Sequence, residues 1–377
     1  MQIIGDLGAY VVPFLIILTI LVFVHELGHY WVARRAGVKV EVFSIGFGPE
    51  LFGWNDRAGT RWKFSIVPLG GYVKMFGDSG AASTPGEGLD EMPPEQRAVS
   101  FHHKALWQRF LIVLAGPLAN FIFAIVLLAG LFVISGQPFT PAVVGEVVPD
   151  SPAAEAGFQP EDRIVAIDGQ EIARFEEVQR IVALRPGQEL RVTVERDGSR
   201  VALEAVPQRV EQTDVLGNTQ EIGRLGISRR GVEYVRHGPA SAVWQAVRET
   251  AALSVSTLEA VGQIITGTRN AEELGGPLRI AQMSGEVANL GLIAVIWFMA
   301  VLSVNLGLIN LFPIPMLDGG HLLFYLFEAV RGKPLGERMQ EYGFRIGLAL
   351  VFSLMLFVTW NDLAQLRVFE FLRGLVT

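Results

Sequence analysis

Val22-Phe23-Val24-His25-Glu26-Leu27-Gly28-His29-Tyr30-Trp31 places two imidazoles and a carboxylate inside an apolar run that extends from about Ala9 to Ala33. Roughly 20 mostly apolar residues suffice for a helix to cross a bilayer. On a helix, positions i and i+4 share one face, so His25 and His29 can meet one metal ion. Glu26 projects beside them and can take a proton from a water activated by that metal. Ionisable groups at this depth are costly unless paired or metal-bound. The competing reading is the polar cluster of a transporter or a proton relay.

Three more stretches have span length: about Phe110 to Ile134, Leu292 to Leu317 and Phe344 to Trp360. The expected fold is therefore a multi-span α-helical membrane protein with four transmembrane helices, within 1–37, 108–135, 291–327 and 342–362, and a tail at 363–377. The first run lacks a positive leading region and an A-x-A-like site, so it reads as a retained span rather than a signal peptide. The composition agrees: of 377 residues, 50% are hydrophobic and 18% charged, against about a quarter charged in soluble domains. That much apolar surface excludes disorder as the main state. A net charge of −7 with no long basic run argues against nucleic acid as a partner class. The chain has no cysteine, so thiolate ligands and disulfides are excluded, and any metal must sit on His, Asp or Glu.

Short loops set orientation through Lys and Arg. Arg34, Arg35 and Lys39 follow the first span, Lys104 and Arg109 lead into the second, and Arg331, Lys333 and Arg338 lie between the third and fourth. The segment 136–290 holds 15 Arg, no Lys and 22 acidic residues. Both termini are expected outside, with 136–290 periplasmic in a bacterium.

Residues 38–76 alternate apolar and polar over Val38–Phe43 and Arg61–Val67, with a turn at Asn55-Asp56-Arg57-Ala58-Gly59. Gly46-Phe47-Gly48-Pro49 and Pro68-Leu69-Gly70-Gly71-Tyr72 punctuate the segment. It reads as a small β-sheet held against the cytoplasmic membrane face. An ordinary cytoplasmic hairpin is the plainer reading. Residues 77–107 read as a flexible loop, richest in Gly, Ala, Ser, Pro and Glu over 77–97.

A compact extracytoplasmic domain is expected at 140–230. Strands are expected at Val143–Val148, Arg163–Ile167 and Leu190–Arg196, a helix at Phe175–Ala183, and turns at Asp168-Gly169 and Asp197-Gly198. Ser151-Pro152-Ala153-Ala154-Glu155-Ala156-Gly157-Phe158, Asp162-Arg163-Ile164 and Ile167-Asp168-Gly169 resemble a PDZ domain. Leu225-Gly226-Ile227 matches its carboxylate-binding loop and strand. Such domains take extended chain ends by strand addition. A spacer with a blocked groove is the alternative. Residues 238–290 read as an interfacial amphipathic helix and connector, with a bend at Gly275-Gly276-Pro277.

Catalytic zinc has three protein ligands and a water. Without Cys, the third must be an oxygen or another His. Asp318 is the candidate, in Asn310-Leu311-Phe312-Pro313-Ile314-Pro315-Met316-Leu317-Asp318-Gly319-Gly320, and His321 is the alternative. Spans one and three both run inward, so His29 and Asp318 can share a depth. Pro313 and Pro315 break the helix, which is tolerated where backbone lines a cavity. Asn310 is placed to bond a substrate carbonyl or orient the scissile peptide. Gly116-Pro117-Leu118-Ala119-Asn120 reads as a helix-packing contact. His102, His103 and His237 lie in polar flanks and are expected to do no chemistry.

Together the HExxH, the GxxxN at 116–120 and the NxxPxxxxDG at 310–319 resemble the site-2 protease family of intramembrane zinc metalloproteases. Gly70-Gly71-Tyr72-Val73-Lys74-Met75 and Leu317-Asp318-Gly319-Gly320-His321 resemble its bacterial RseP branch. The resemblance implies that His25, His29 and Asp318 bind Zn2+, that Glu26 is the general base and that Asn310 assists substrate binding. It implies single-span membrane proteins as substrates, anti-sigma factors already trimmed outside and remnant signal peptides among them. It also implies the bacterial inner membrane, with the active site toward the cytoplasm. RseP itself carries two tandem PDZ domains; residues 136–235 here have room for one. Gly70, Gly71 and Tyr72 are expected at a sheet edge that holds an unwound substrate, with Leu225, Gly226 and Ile227 for a PDZ ligand peptide and lipid as the surrounding medium. The other class of function is a membrane-anchored PDZ adaptor or a transporter without proteolytic activity.

Overall fold

A computed structural model of the chain describes residues 2–79, 91–213, 219–231, 233–267 and 275–365. In chain order the first part holds α1 (Gln2–Arg35), β1 (Val40–Asn55), β2 (Arg61–Met75), α2 (Pro94–Val99) and α3 (Leu106–Ile134). Next come β3 (Gln137–Phe139), β4 (Val144–Val147), α4 (Pro152–Glu155), β5 (Arg163–Ile167), β6 (Gln170–Glu171), α5 (Phe175–Ala183), β7 (Leu190–Arg196) and β8 (Ser199–Ala205). β9 (Gln208–Thr213), β10 (Thr219–Arg224), β11 (Ile227–Arg229) and β12 (Glu233–Val235) complete this part. The last part holds α6 (Pro239–Ile265), α7 (Pro277–Asn289), α8 (Leu292–Leu311), α9 (Asp318–Arg331) and α10 (Glu337–Gln365). Two compact units result, one of Met1–Leu131 with Pro239–Thr377 and one of Phe132–Gly238.

Among the described residues, four helices are long and apolar enough to cross a membrane: Gly8–Arg35, Leu106–Ile134, Leu292–Leu311 and Arg338–Leu363. The third is shorter than the 291–327 expected. It stops at Leu311, and a new helix starts at Asp318, because the two prolines between cannot donate to a helical ladder. Met316 in this break has φ 93°, a strained value for a residue with a Cβ. α9 then starts so close to the broken backbone that a Cβ at Gly319 would strike the Phe312 and Leu311 carbonyl oxygens.

The expected connector at 275–290 is a helix, α7. Its cap is remote in sequence. The Asp362 carboxylate of α10 accepts from Gly276 N at 2.8 Å and from Leu278 N and Arg279 N at 3.1 Å, three donors that a helix start otherwise leaves unpaired. The expected flexible loop at 77–107 is packed at both ends. Phe101 is buried, and buried Asp78 bonds His102 at 2.9 Å and Met75 N at 3.0 Å. Residues 80–90 lie outside the described residues. His103 bonds Ser100 and His237 bonds Gln137.

β1 and β2 are bent rather than straight. Residues 42–45 pair on one side with 71–74 and on the other with 61–64, and 61–64 pair in turn with 52–55. The spatial order is thus 71–75, 40–45, 61–64, 52–55: four short antiparallel runs made from two long strands. The corners fall at the Gly-rich punctuation, where Gly46, Gly48 and Gly70 have φ of 88°, 88° and 117°, values that favour glycine. Val38, Val40, Phe43, Val73 and Met75 from this sheet bury against Ala33 of α1 and Ile112 and Val113 of α3. Around the corners Phe47, Leu51, Phe52, Ile66, Val67 and Leu69 are exposed.

The second unit is built on the antiparallel sheet β6-β5-β7-β8, with β11 paired to β4. Ile164, Ile167, Val178, Leu190, Val192 and Val194 fill its core. Both expected Asp-Gly turns carry positive φ at both residues, 49° and 82° at 168–169 and 49° and 77° at 197–198, the pattern of tight hairpin turns. Arg196 grips buried Asp162 with two hydrogen bonds of 2.7 Å.

The β1–β2 turn is tied to α1 through Asp56. Its carboxylate accepts from Tyr30 Oη at 2.9 Å, Trp62 Nε1 at 3.1 Å, Ala58 N at 2.8 Å and Thr60 N at 2.9 Å. Partial burial pushes its pKa up, but these donors outweigh that and hold it below the usual carboxylate range. A carboxyl depressed in the fold stabilises above its unfolded pKa of about 3.9 and loses that contribution as pH falls through its folded value. Asp56→Ala is expected to lower stability in detergent at pH 7 by about 1–3 kcal/mol, and by less as the pH is brought below 4. An unchanged unfolding midpoint at pH 7 would refute the clamp.

Candidate metal centre

Near its C-terminal end, α1 presents His25 and His29 to one side, and α3 is shaped to receive them. Gly28 lets the two helices approach, since a Cβ there would strike the Ala115 carbonyl oxygen of α3. Gly116 leaves the room that the rings occupy: a Cβ on it would collide with His29 Nε2 and come within 2.9 Å of His25 Cε1. Ile112, Gly116 and Asn120 stand at i, i+4 and i+8, on one stripe of α3. The Ile112 carbonyl accepts from His29 Nδ1 at 2.8 Å, and the Asn120 amide lies 3.2 Å from His25 Nδ1. His29 must then carry its proton on Nδ1 and expose the lone pair of Nε2. Asn120 Oδ1 is buried without a partner. Turning this amide over lets Oδ1 accept from His25 Nδ1–H, which frees the second Nε2 in the same way.

The two Nε2 atoms are 3.2 Å apart, and Asp318 Oδ2 lies 3.1 Å from that of His25 and 3.4 Å from that of His29. These three atoms form the metal-binding cluster found among the described residues. An ion about 2.0–2.1 Å from each ligand of a tetrahedron needs edges of about 3.3 Å. The triangle therefore fits zinc, which His25, His29 and Asp318 would hold. Asp318 Oδ2 is buried with no hydrogen-bond partner, as expected of an atom whose partner is a cation. Asp318, not His321, supplies the third atom; the His321 ring lies 5.3 Å from that of Phe344 on α10, tilted by 50°.

A cavity of about 270 Å³ opens on this triangle. It brings together His25, Glu26, His29, Asp318, Asn310 and the sheet residues Gly70, Gly71 and Tyr72. Gly71 lies over Glu26: a Cβ on it would come within 3.3 Å of Glu26 Cγ and 2.7 Å of the Ser44 carbonyl oxygen. The Val73 backbone N–H faces the Glu26 carboxylate. The edge of β2 thus runs directly over the proposed base.

Leu225, Gly226 and Ile227 line a separate groove of the second unit, of about 640 Å³, with Val178 and Val182 of α5 opposite. Sequence reading took Gly116 and Asn120 as packing residues. They do pack, but against the imidazoles, and the i, i+4, i+8 spacing with Ile112 is the signal that marks the stripe.

Gly116→Ala is expected to abolish stoichiometric zinc binding. Asn120→Ala is expected to weaken zinc on the order of 10–100-fold, read by competition with a chromophoric chelator. Wild-type affinity in Asn120→Ala would remove this residue from the centre.

The model for peptidase family M50 matches residues 13–354. A protein of Agrobacterium fabrum that carries the name zinc metalloprotease is 50% identical over 367 residues, covering 96% of this chain and 97% of that one. The metalloprotease MmpA of Caulobacter vibrioides is 42% identical over 390 residues, covering 97% and 98%. Among solved structures, the PDZ domain of an SdrC-like protein from Listeria monocytogenes is 18% identical with a TM-score of 0.19, covering 24% of this chain and 88% of that one. That score adds nothing to the strand pairing already described. The family model contains the whole metal triangle, two of the four membrane-length helices in full and most of the other two, and the chain belongs to peptidase family M50, the site-2 proteases, as a zinc metalloprotease of membranes.

Proposed function

We propose that this enzyme hydrolyses peptide bonds within or beside the transmembrane segment of single-span membrane proteins. Anti-sigma-type proteins already cut outside and remnant signal peptides fit this class. The observation that carries the reading is the sheet edge at 71–75, which borders the metal cavity and has no strand beside it among the described residues. A transmembrane helix hides its peptide bonds in its own hydrogen bonds. Cleavage therefore requires local unwinding, and an edge without a neighbouring strand offers replacement partners.

In this reading His25, His29 and Asp318 hold the zinc. When bound, zinc supplies Lewis acidity and makes water nucleophilic near neutral pH. Glu26 accepts the water proton on its carboxylate and delivers it to the leaving nitrogen. The Asn310 amide, on the last turn of α8, bonds the substrate carbonyl or fixes the plane of the scissile peptide. The exposed apolar corners of the sheet support seating at a membrane surface. The charge pattern supports an inner-membrane orientation with the centre toward the cytoplasm and 140–230 periplasmic. The groove at Leu225, Gly226 and Ile227 supports PDZ-type capture of a chain end.

Two measurements test this. Purified wild type is expected to cut a single-span substrate that lacks its outer domain, while Glu26→Gln retains zinc and cuts nothing. Equal cleavage by both would refute Glu26 as base. The chain has no native cysteine, so Tyr72→Cys in a Glu26→Gln background offers one thiol at the sheet edge. Scanned single cysteines in the substrate are expected to cross-link to it with a period of two residues. A period near 3.6, or no cross-link, would sink strand addition.

A further inference from the structure

α9 begins with a metal ligand but is poorly anchored at that point. The residue before it, Leu317, makes no side-chain cap, and Met316 holds a strained φ. Asp318, Leu322 and Tyr325 fall at i, i+4 and i+7, so they share one face of the helix. Leu322 and Tyr325 pack on the cluster that contains Ile112 and Val113 of α3. Beyond them the face is not close-packed: a cavity of about 200 Å³ lies there, lined by Arg109, Tyr325 and Glu328 among others. Across that gap Arg109 Nη2 meets Glu328 Oε1 at 2.5 Å, both side chains 15% exposed. The Arg109 guanidinium lies 5.1 Å from the Tyr325 ring centroid, and its Nε donates to the Lys104 carbonyl at 3.2 Å. Arg109 stands about one turn before Ile112, the residue whose carbonyl holds His29.

We infer that Arg109, Glu328 and Tyr325 form a clamp that sets the rotation of α9 against α3 and so aims Asp318 at the metal; they are positioning residues. The clamp ties the turn of α3 that anchors one ligand to the helix that carries another. Rotation of α9 about its axis moves Asp318 Oδ2 off the triangle, and where the facing cavity interrupts the packing of Leu322 and Tyr325 the polar clamp opposes that rotation.

The inference rests on the ligand assignment above, so zinc stoichiometry of the wild type is measured first; a chain that binds no zinc would overturn the assignment and with it the clamp. Arg109→Gln and Glu328→Gln are each expected to weaken zinc about tenfold or more and to alter the visible spectrum of the cobalt-substituted protein. The exchange Arg109→Glu with Glu328→Arg is expected to bring both readouts back toward wild type. If the exchange does not fold, Arg109→Gln with Glu328→Gln reads the same coupling: an affinity no worse than either single change supports the clamp, and an additive loss overturns it. Single variants that unfold at lower temperature yet keep wild-type zinc affinity and cobalt spectrum would reduce the pair to a structural contact.

Discussion

Three lone pairs aimed at one point constrain everything else in this molecule. Two imidazole nitrogens and a carboxylate oxygen within 3.1–3.4 Å of one another repel unless a proton or a cation stands between them. The outer nitrogen of His29 is committed to the Ile112 carbonyl, so its proton is turned away from the triangle. A divalent ion resolves the crowding and supplies the charge that makes ionisable groups tolerable inside an apolar helix. In physical terms the site is incomplete as a set of protein atoms and complete with zinc.

Holding such a triangle requires backbones to come closer than side chains ordinarily permit. The glycines at the centre therefore serve different surfaces of one site. Gly28 admits α3, Gly116 makes room for the imidazoles, Gly71 admits the sheet to Glu26, and Gly319 admits the carbonyls of the broken helix. A helix pays roughly 1 kcal/mol for each interior Gly relative to Ala, so Gly28 and Gly116 weaken α1 and α3 individually. The helices tolerate this because tertiary packing, rather than propensity, stabilises them.

Much of this was legible in the sequence because the determinants are local. HExxH is a statement about one helix face, the Asp-Gly pairs dictate their own turns, and Pro313 and Pro315 end α8 wherever it sits. What stayed hidden depends on partners far away in the chain. α7 looked like a bend because its cap is Asp362, 86 residues beyond Gly276. The loop at 77–107 looked mobile because Asp78 and Phe101 are settled by His102 and by a core drawn from α1, the sheet and α3. Asn120 looked like a packing amide because its spacing from Ile112 and Gly116 marks a stripe of α3 but not what the stripe meets, and its partner His25 lies 95 residues earlier.

The placement of the sheet beside the metal follows from the problem the proposed substrate sets. A helix in lipid keeps its backbone groups paired, and each one freed in an apolar setting costs several kcal/mol. Hydrolysis needs one peptide plane exposed to water, base and zinc together, so several neighbouring bonds must open at once. Loose capture by side chains would leave those groups unpaired. A strand edge repairs them in register, one residue in two, and leaves the alternate residues facing away from the ladder. Only an edge lying against the proposed base can make this repair at the same place as the proposed chemistry. In the proposed reading, the close approach of Gly71 to Glu26 is where these two requirements meet: a Cβ at position 71 would lie 3.3 Å from Glu26 Cγ and 2.7 Å from the Ser44 carbonyl oxygen, so a side chain there would push the edge away from the carboxylate on which the proposed cleavage depends.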